Sequence, residues 1–452
     1  MEIEQLYEIF QQHPVITTDS RKCPLGAIFF ALKGDKFDGN DYVADVLKAG
    51  AAYVVADRED IEARFITPDS TTNHVIKVDN ALQTLQQLAH YHRSQMPATV
   101  IAITGTNGKT TTKELIAAAL STHYQTLYTQ GNLNNHIGVP LTLLRLTPKD
   151  QFAVIEMGAN HPGEIQELCE LADPDCGLIT NVGKAHLEGF GSFEGVIRTK
   201  TELYNYLRAK SAPVFANLDN LILKEWHENS STIYYGTTPE AYIHGRITGL
   251  NPTLQIEWEK APVRGSGGRP GGFITTQLVG SYNFENVLAA ICVAAHFDVE
   301  DAAINTALAA YTPTNNRSQI LKTKANTVIV DAYNANPSSM QAALDNFEQT
   351  EGSPKMVILG EMKELGAYSR DEHQKIVDRL RDSNLTVWLV GKHFSLPPTP
   401  ITSGRATLNP DWKLFENTGN LLTYLKEKPV SGCTVLVKGS RANGLEAAIP
   451  YL

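Results

Sequence analysis

Thr104-Gly-Thr-Asn-Gly-Lys-Thr-Thr-Thr112 joins the apolar run Val100-Ile-Ala-Ile103 to the helix-forming run Lys113-Glu-Leu-Ile-Ala-Ala-Ala-Leu120. A strand, a glycine-bearing turn and a helix start are what a phosphate requires. Gly105 and Gly108 can take backbone angles that turn successive N–H groups inward, and the helix start adds partial positive charge. In such a loop Thr106, Asn107, Gly108, Lys109, Thr110 and Thr111 surround the anion, with Lys109 on the β- and γ-phosphates and Thr110 on Mg²⁺. The form is shorter than G-x-x-x-x-G-K-[ST], whose first glycine would fall at Ile103.

Two further stretches carry polar residues at the ends of apolar runs. Ala153-Val-Ile-Glu-Met157 ends in a carboxylate, and Cys176-Gly-Leu-Ile-Thr-Asn181 is followed by a glycine-rich segment containing His186. Polar residues at strand C-termini face the ligand crevice of an open α/β sheet, so Glu156 and His186 are expected to converge on the phosphate loop. The blander alternatives are a capping or salt-bridged carboxylate and a satisfied loop histidine. Asn283 and Asn286 are three apart at a helix start and share a face. Ser20, Arg21, Lys33 and Asn40 could hold a phosphorylated ligand, although on residue types alone they read better as solvated loops.

These groups need a scaffold, and the apolar pattern supplies one. The fold class expected is α/β in three domains. Residues 1–97 form a small α/β unit. Residues 98–312 alternate strand and helix, giving a mostly parallel phosphate-loop sheet with a small antiparallel part. Residues 313–452 form a Rossmann-like α/β unit, with buried-type strands at Val328–Asp331, Met356–Leu359, Val387–Val390 and Thr434–Val437. The tract Arg264-Gly-Ser-Gly-Gly-Arg-Pro-Gly-Gly272 lacks a strand-turn-helix context and reads as a hairpin tip.

The 452 residues suit about three domains. A net charge of −10 argues against a general nucleic-acid or anionic-membrane surface. No apolar run approaches the ~18–20 residues that span a bilayer, and the acidic amphipathic N-terminus reads as a cytoplasmic start. The five scattered cysteines, without a C-x-x-C pair, support neither a disulfide framework nor a zinc site.

The phosphate loop, Glu156, His186, Lys200 in Arg198-Thr-Lys-Thr-Glu202, Asn283, Asn286, Arg317, Asp331-Ala-Tyr-Asn-Ala-Asn-Pro337 and Lys438-Gly-Ser-Arg441 stand in an order that resembles the Mur ligases. The likeness covers essentially the whole chain. Tyr333-Asn-Ala-Asn-Pro337 and Gly360-Glu-Met-Lys-Glu-Leu-Gly366 resemble the members that join D-Ala-D-Ala to UDP-N-acetylmuramoyl-tripeptide.

The resemblance implies ATP and two Mg²⁺, the first held by Thr110 and Glu156, the second by His186 and a carbamylated Lys200. On periodicity alone Lys200 is an ordinary exposed helix lysine. The resemblance makes Lys109, His186 and Lys200 the catalytic set and puts Asn283 and Asn286 at adenine. Arg317 and Asp331 fall at ribose and phosphates, Ser20 and Arg21 at the uridine diphosphate, and Asn134 and Asn135 along the muramoyl-peptide. Tyr333, Asn334 and Asn336 are expected at the dipeptide, which puts that substrate between the second and third domains. Asn40 and Tyr282 depart from the family's frequent histidines. A monomeric, cytoplasmic enzyme of peptidoglycan precursor synthesis is expected. The rivals are the ligase adding the third amino acid and a folylpolyglutamate-type synthase. The chain has neither an Asp-Asn-Pro-Arg clamp nor an Asp-Gly-Ala-His-Asn-Pro run. A GTPase switch would carry an Asn-Lys-x-Asp base reader, which is also absent.

Overall fold

Val100, Ile101, Ala102 and Ile103 are fully buried on both faces of their strand, as a continuous apolar run must be when helices cover both sides of a parallel sheet. In the computed structural model, which describes residues 1–65, 74–227, 231–261, 270–381, 383–394 and 412–452, that strand is 99–104, inside a nine-stranded sheet. The order across the sheet is 270–275, 255–260, 243–249, 232–236, 214–217, 176–179, 99–104, 152–156 and 126–128. Pairing is parallel from 126–128 through 243–249 and antiparallel for the last two strands. Strand 99–104 thus lies between 152–156 and 176–179, two strands that follow it in sequence. The order reverses there, and a crevice opens at the strand C-termini.

Helix Lys109–Leu120 leaves the tip of the central strand, and helix Asn283–His296 packs against it. The second helix is apolar almost all round and buries twelve of its residues, the signature of a core helix. The antiparallel part carries Trp258, fully buried, whose indole N–H donates to Asn305 Oδ1 at 2.8 Å. The glycine tract from Arg264 falls outside the described residues except at its end, which enters the edge strand.

The N-terminal sheet runs 16–17, 28–30, 53–56, 75–77, all parallel. Helix Ala81–Ser94 follows, capped by Asn80, whose side chain accepts from Gln83 N. Asn40 is buried rather than solvated. It bonds Asp38 and Asp57 through its amide and accepts from the backbone of Asp57 and Arg58. That makes it a structural knot of this unit.

The C-terminal sheet has the order 319–322, 327–331, 434–438, 355–360, 386–390, 413–415, with only the first pair antiparallel. Its four interior strands coincide with the four apolar runs. The two edge strands are short and half polar, so no comparable run marks them. Lys200, in helix Phe193–Ala209, is not the exposed lysine that periodicity suggested. Only 2% of it is accessible.

Candidate active site

A polar cleft of about 620 Å³ lies over the phosphate loop and is lined from both the central and the C-terminal sheets. The loop is shaped by two glycines. Gly105 has φ +142°, and a Cβ there would strike Thr180 Oγ1 at 2.0 Å; Gly108 has φ +79° and would strike Asn286 Oδ1 at 2.4 Å. The loop is braced from the neighbouring strand. Asn181 Oδ1 accepts from Asn107 N at 2.9 Å, and Thr180 Oγ1 donates to Asn107 O at 2.6 Å. Lys109 folds onto the same loop, donating to Gly105 O at 2.6 Å and Thr106 O at 3.1 Å. Burial, opposed by Glu156 and reinforced by Arg317, pulls its pKa down to about 8. Thr110 and Thr111 are buried at the helix start.

Glu156 sits at the C-terminus of the strand beside the loop, 2% exposed. Its Oε1 accepts from Asn134 Nδ2 at 2.8 Å, whereas its Oε2 has no hydrogen bond. The nearest cation to Oε2 is Lys113, at 3.6 Å, and that Nζ is itself buried without a hydrogen-bond partner. A buried carboxylate oxygen left this way is costly unless another cation completes it, so the site suits a divalent ion. Among the described residues no three of His, Cys, Asp and Glu cluster as a closed metal cage. Mg²⁺ takes one or two protein oxygens and fills the rest of its shell from phosphates and water, so its fit here rests on Glu156 Oε2 and not on a cage. Lys113 went unnoticed in the sequence, where it reads as part of an amphipathic helix. Its signal was spacing: four residues past Lys109 is one helical turn, on the same face.

Lys200 does not line the cleft. It reaches it from behind, with Nζ 3.4 Å from the carbonyl of Ala159, a cleft residue, and 5.4 Å from the ring centre of Phe190. Burial, reinforced by the charge of Lys109, pulls its pKa down to about 7. His186 does line the cleft, and its buried Nδ1 touches the carboxylate of Glu364 from the C-terminal unit, an ion-pair contact without the alignment of a hydrogen bond.

Asn283 and Asn286 share one face, as their spacing predicted. Asn286 Nδ2 donates to Asn283 Oδ1 at 3.0 Å, and Asn286 Oδ1 accepts from Thr112 Oγ1 at 3.0 Å. Beside them Tyr282 pairs with Ser318 through their hydroxyls at 2.7 Å. The Arg317 guanidinium lies 3.8 Å over the Tyr333 ring, with a buried Nε that has no partner. Asp331 and Lys438, cross-strand neighbours in the register, form an ion pair at 2.5 Å.

The expected substrate contacts divide. Tyr333, Asn334 and Asn336 line the cleft, but the Asn336 amide already has partners: its oxygen caps helix Pro337–Gln349 through Ser339 N, and its nitrogen donates to Asn107 Oδ1 at 2.8 Å. Asn134 and Asn135 line it too, although the Asn135 oxygen is taken up by Gly138 N at 2.9 Å. Ser20 and Arg21 stand apart from this cleft. The Arg21 side chain is 85% exposed and paired with Asp19.

A phosphate loop, a buried carboxylate with one open oxygen and a second sheet whose strand ends close the cleft define a nucleotide-dependent enzyme that acts between two domains. The comparisons with known proteins are specific. Residues 14–93 match the model described as Mur ligase family, catalytic domain; 103–294 the Mur ligase middle domain; and 316–441 the Mur ligase, glutamate ligase domain. The chain is 37% identical to the UDP-N-acetylmuramoyl-tripeptide--D-alanyl-D-alanine ligase of Bacillus subtilis, covering 97% of this chain and 92% of that one. It is 35% identical to the Escherichia coli protein of the same name, with coverage of 97% and 93%. Among solved structures, MurF from Acinetobacter baumannii superposes with a TM-score of 0.81 at 28% identity, over 99% of this chain and 97% of that one. MurF from Thermotoga maritima in complex with ADP gives 0.79 at 26% identity, over 97% and 96%. The chain belongs to the Mur ligase family.

Proposed function

We propose that the protein joins D-Ala-D-Ala to UDP-N-acetylmuramoyl-tripeptide, the two substrates in the names of its relatives, and that ATP drives the joining. The single observation that carries the reading is the open, buried Oε2 of Glu156 beside the phosphate loop. The terminal carboxylate of the tripeptide attacks the γ-phosphorus of ATP, the bond to the β-bridging oxygen breaks, and an acyl phosphate and ADP result. The free amine of the dipeptide then attacks the acyl carbon. Inorganic phosphate leaves, and the amine gives up its proton as the amide forms.

Transfer of a phosphoryl group between anions asks the protein for charge and alignment rather than covalent help. Lys109 exchanges its own loop carbonyls for phosphate oxygens. The N–H groups at the start of helix Lys109–Leu120 supply the rest of the cradle, while those of Thr106 and Asn107, donated to Asn181, hold the loop in shape. Thr110 and Glu156 would hold Mg²⁺, which neutralises the phosphates and polarises the transferred group. Arg317 and Asp331 enter from the C-terminal side, so the nucleotide is shared between two domains and their docking completes the site.

Lys200 is suited to carbamylation. A lysine must be a neutral amine to attack CO₂, and burial brings this one to a pKa of about 7, so a large fraction is nucleophilic at neutral pH. The amine bonds to the carbon of CO₂ and loses a proton, which turns a buried cation into an oxygen anion able to serve, with His186, a second Mg²⁺. The UDP end would lie on the N-terminal unit near Ser20 and Arg21. No helix among the described residues is long and apolar enough to cross a membrane. The nucleotide-linked substrate is what assigns the reaction to the cytoplasm. A monomer suffices, because all these groups come from one chain.

Purified protein given ATP, UDP-N-acetylmuramoyl-tripeptide and D-Ala-D-Ala should form the pentapeptide by mass spectrometry with one ADP and one phosphate per product. ATP turnover without the two acceptors would refute the ligase. Preference for a single amino acid over the dipeptide would refute the substrate.

A further inference from the structure

The Gly360–Gly366 segment contains a residue for which the reaction above has no role. Glu364 has φ +64°, in the left-handed region that a side chain with a Cβ disfavours, and its carboxylate meets Nδ1 of His186. His186 is itself left-handed, with φ +49°. Two non-glycine residues in unfavourable backbone conformations, one from the central domain and one from the C-terminal domain, meet side chain to side chain. Strain of this kind persists only where the surroundings over-determine it, and it gathers at functional sites.

The surroundings do over-determine it. Met362 and Leu365 are each 1% exposed in the C-terminal core. His373, fully buried, accepts from Met362 N at 3.0 Å through Nε2 and donates from Nδ1 to Ser369 O at 2.6 Å. Ser440 Oγ accepts from Lys363 N at 2.9 Å, and Asn443 donates to Glu361 O at 2.8 Å. Beyond the loop, Gly366 lies so close to Glu188 that a Cβ on it would come within 3.2 Å of that side chain. The flanking residues Met362, Lys363 and Leu365 are anchored on their own domain, and Glu364 is the residue of the segment whose charged group is presented to its neighbour, with Gly366 packed beside it.

We propose that Glu364 is a positioning residue for His186, in reach only when the C-terminal domain is docked. The carboxylate, held in contact with Nδ1 as an anion, keeps the proton on that nitrogen, restrains the imidazole plane and leaves Nε2 as the atom turned to the reacting groups, so docking of the C-terminal domain also sets the histidine. An anionic partner on the far nitrogen is how proteins orient a working histidine, and losing one costs about 10- to 100-fold in activity or affinity. This rests on the ligase reading of the cleft.

The test compares wild type with Glu364→Ala and Glu364→Gln in the full ligation reaction. The alanine variant should lose about 10- to 100-fold in kcat, with KM for ATP and the calorimetric Kd of a non-hydrolysable ATP analogue within about twofold of wild type. Histidine ¹⁵N spectra, with the His186 signal assigned by its absence in His186→Asn, should show Nδ1 protonated in wild type and that population reduced in Glu364→Ala. A wild-type kcat in Glu364→Ala, an unchanged His186 spectrum, or analogue affinity falling in step with kcat would each overturn the proposal. Failure of the wild type itself to ligate would instead overturn the ligase reading.

Discussion

The two walls of the cleft are built on opposite principles. On the central wall charged groups are buried and left incomplete: Lys113 Nζ and Glu156 Oε2 have no hydrogen bond, and Lys109 is held only by carbonyls of its own loop. On the C-terminal wall polar groups are for the most part already paired with one another. Asp331 is bonded to Lys438, Asn336 caps a helix and reaches Asn107, and Tyr333 lies between Arg317 and Arg441. Burying an unpaired charge is expensive, and evolution retains it only where something else completes it. The central wall is therefore the part that waits for ligand and metal, and the C-terminal wall is a preassembled frame that brings residues to it. Arg317, with its unpartnered Nε, is the exception that belongs with the waiting set.

That contrast breaks if substitutions on the two walls behave alike. Lys438→Ala should be the most damaging to the fold. The lysine is 1% exposed and its loss strands Asp331, so stability should fall by about 3–5 kcal/mol, read by urea denaturation. Lys109→Ala should do the reverse: turnover falls about 10²–10³-fold, the scale for losing one preorganised charge contact in a transition state, while the denaturation midpoint stays at or above that of wild type. A Lys109→Ala enzyme with near-normal ligation would end the phosphate-loop assignment.

Lys200 tests the waiting wall from behind. Lys200→Ala should abolish ligation, and acetate should partly restore it, because the missing group is an oxygen anion. Full activity without rescue would exclude the carbamate. The same lysine predicts a pH dependence in CO₂-free buffer. Its folded pKa of about 7 lies below the ordinary lysine value of about 10.4. Between those limits the unfolded chain holds more protons than the folded one, so stability rises with pH through that window, by up to about 1.4 kcal/mol per unit, and is flat with respect to this group below it. Lys200→Met should lack that rise. Equal slopes for the two proteins would mean the lysine is not held neutral.

How much of this was legible in the sequence follows from the same physics. The phosphate loop could be read because its glycines and lysine are fixed by local backbone geometry, and the interior strands of the C-terminal sheet because burial on both faces demands unbroken apolar runs. The edge strands 319–322 and 413–415 could not, since one-sided pairing leaves them half polar. Glu156 and His186 were reachable through the rule for strand ends. The depth of Lys200 was not, because a lysine is ordinarily solvated: it stands on the face of Val196, Leu203, Tyr204 and Leu207, all buried, and its charge argued against reading that spacing as a buried stripe. Lys113 and Glu364 acquire meaning only from elements distant in sequence, Glu156 in one case and His186 in the other.

The smallest predicted effect is the most discriminating between the walls. The sequence placed Asn336 at the dipeptide, where its loss would raise KM for that substrate far more than KM for ATP. In the structure its oxygen caps helix Pro337–Gln349 and its nitrogen holds Asn107, a phosphate-loop residue whose backbone is gripped in turn by Asn181 and Thr180. Removing a helix cap costs about 1 kcal/mol, and releasing Asn107 loosens the nucleotide cradle rather than the amine pocket. Asn336→Ala should therefore lower stability by about 1 kcal/mol and raise KM for ATP at least as much as KM for D-Ala-D-Ala. Asn336→Asp, which keeps the cap oxygen but cannot donate to Asn107, should recover the stability without recovering the KM for ATP. If the alanine variant raises only the dipeptide KM, Asn336 belongs to the waiting set after all, and the division between the two walls must be drawn elsewhere.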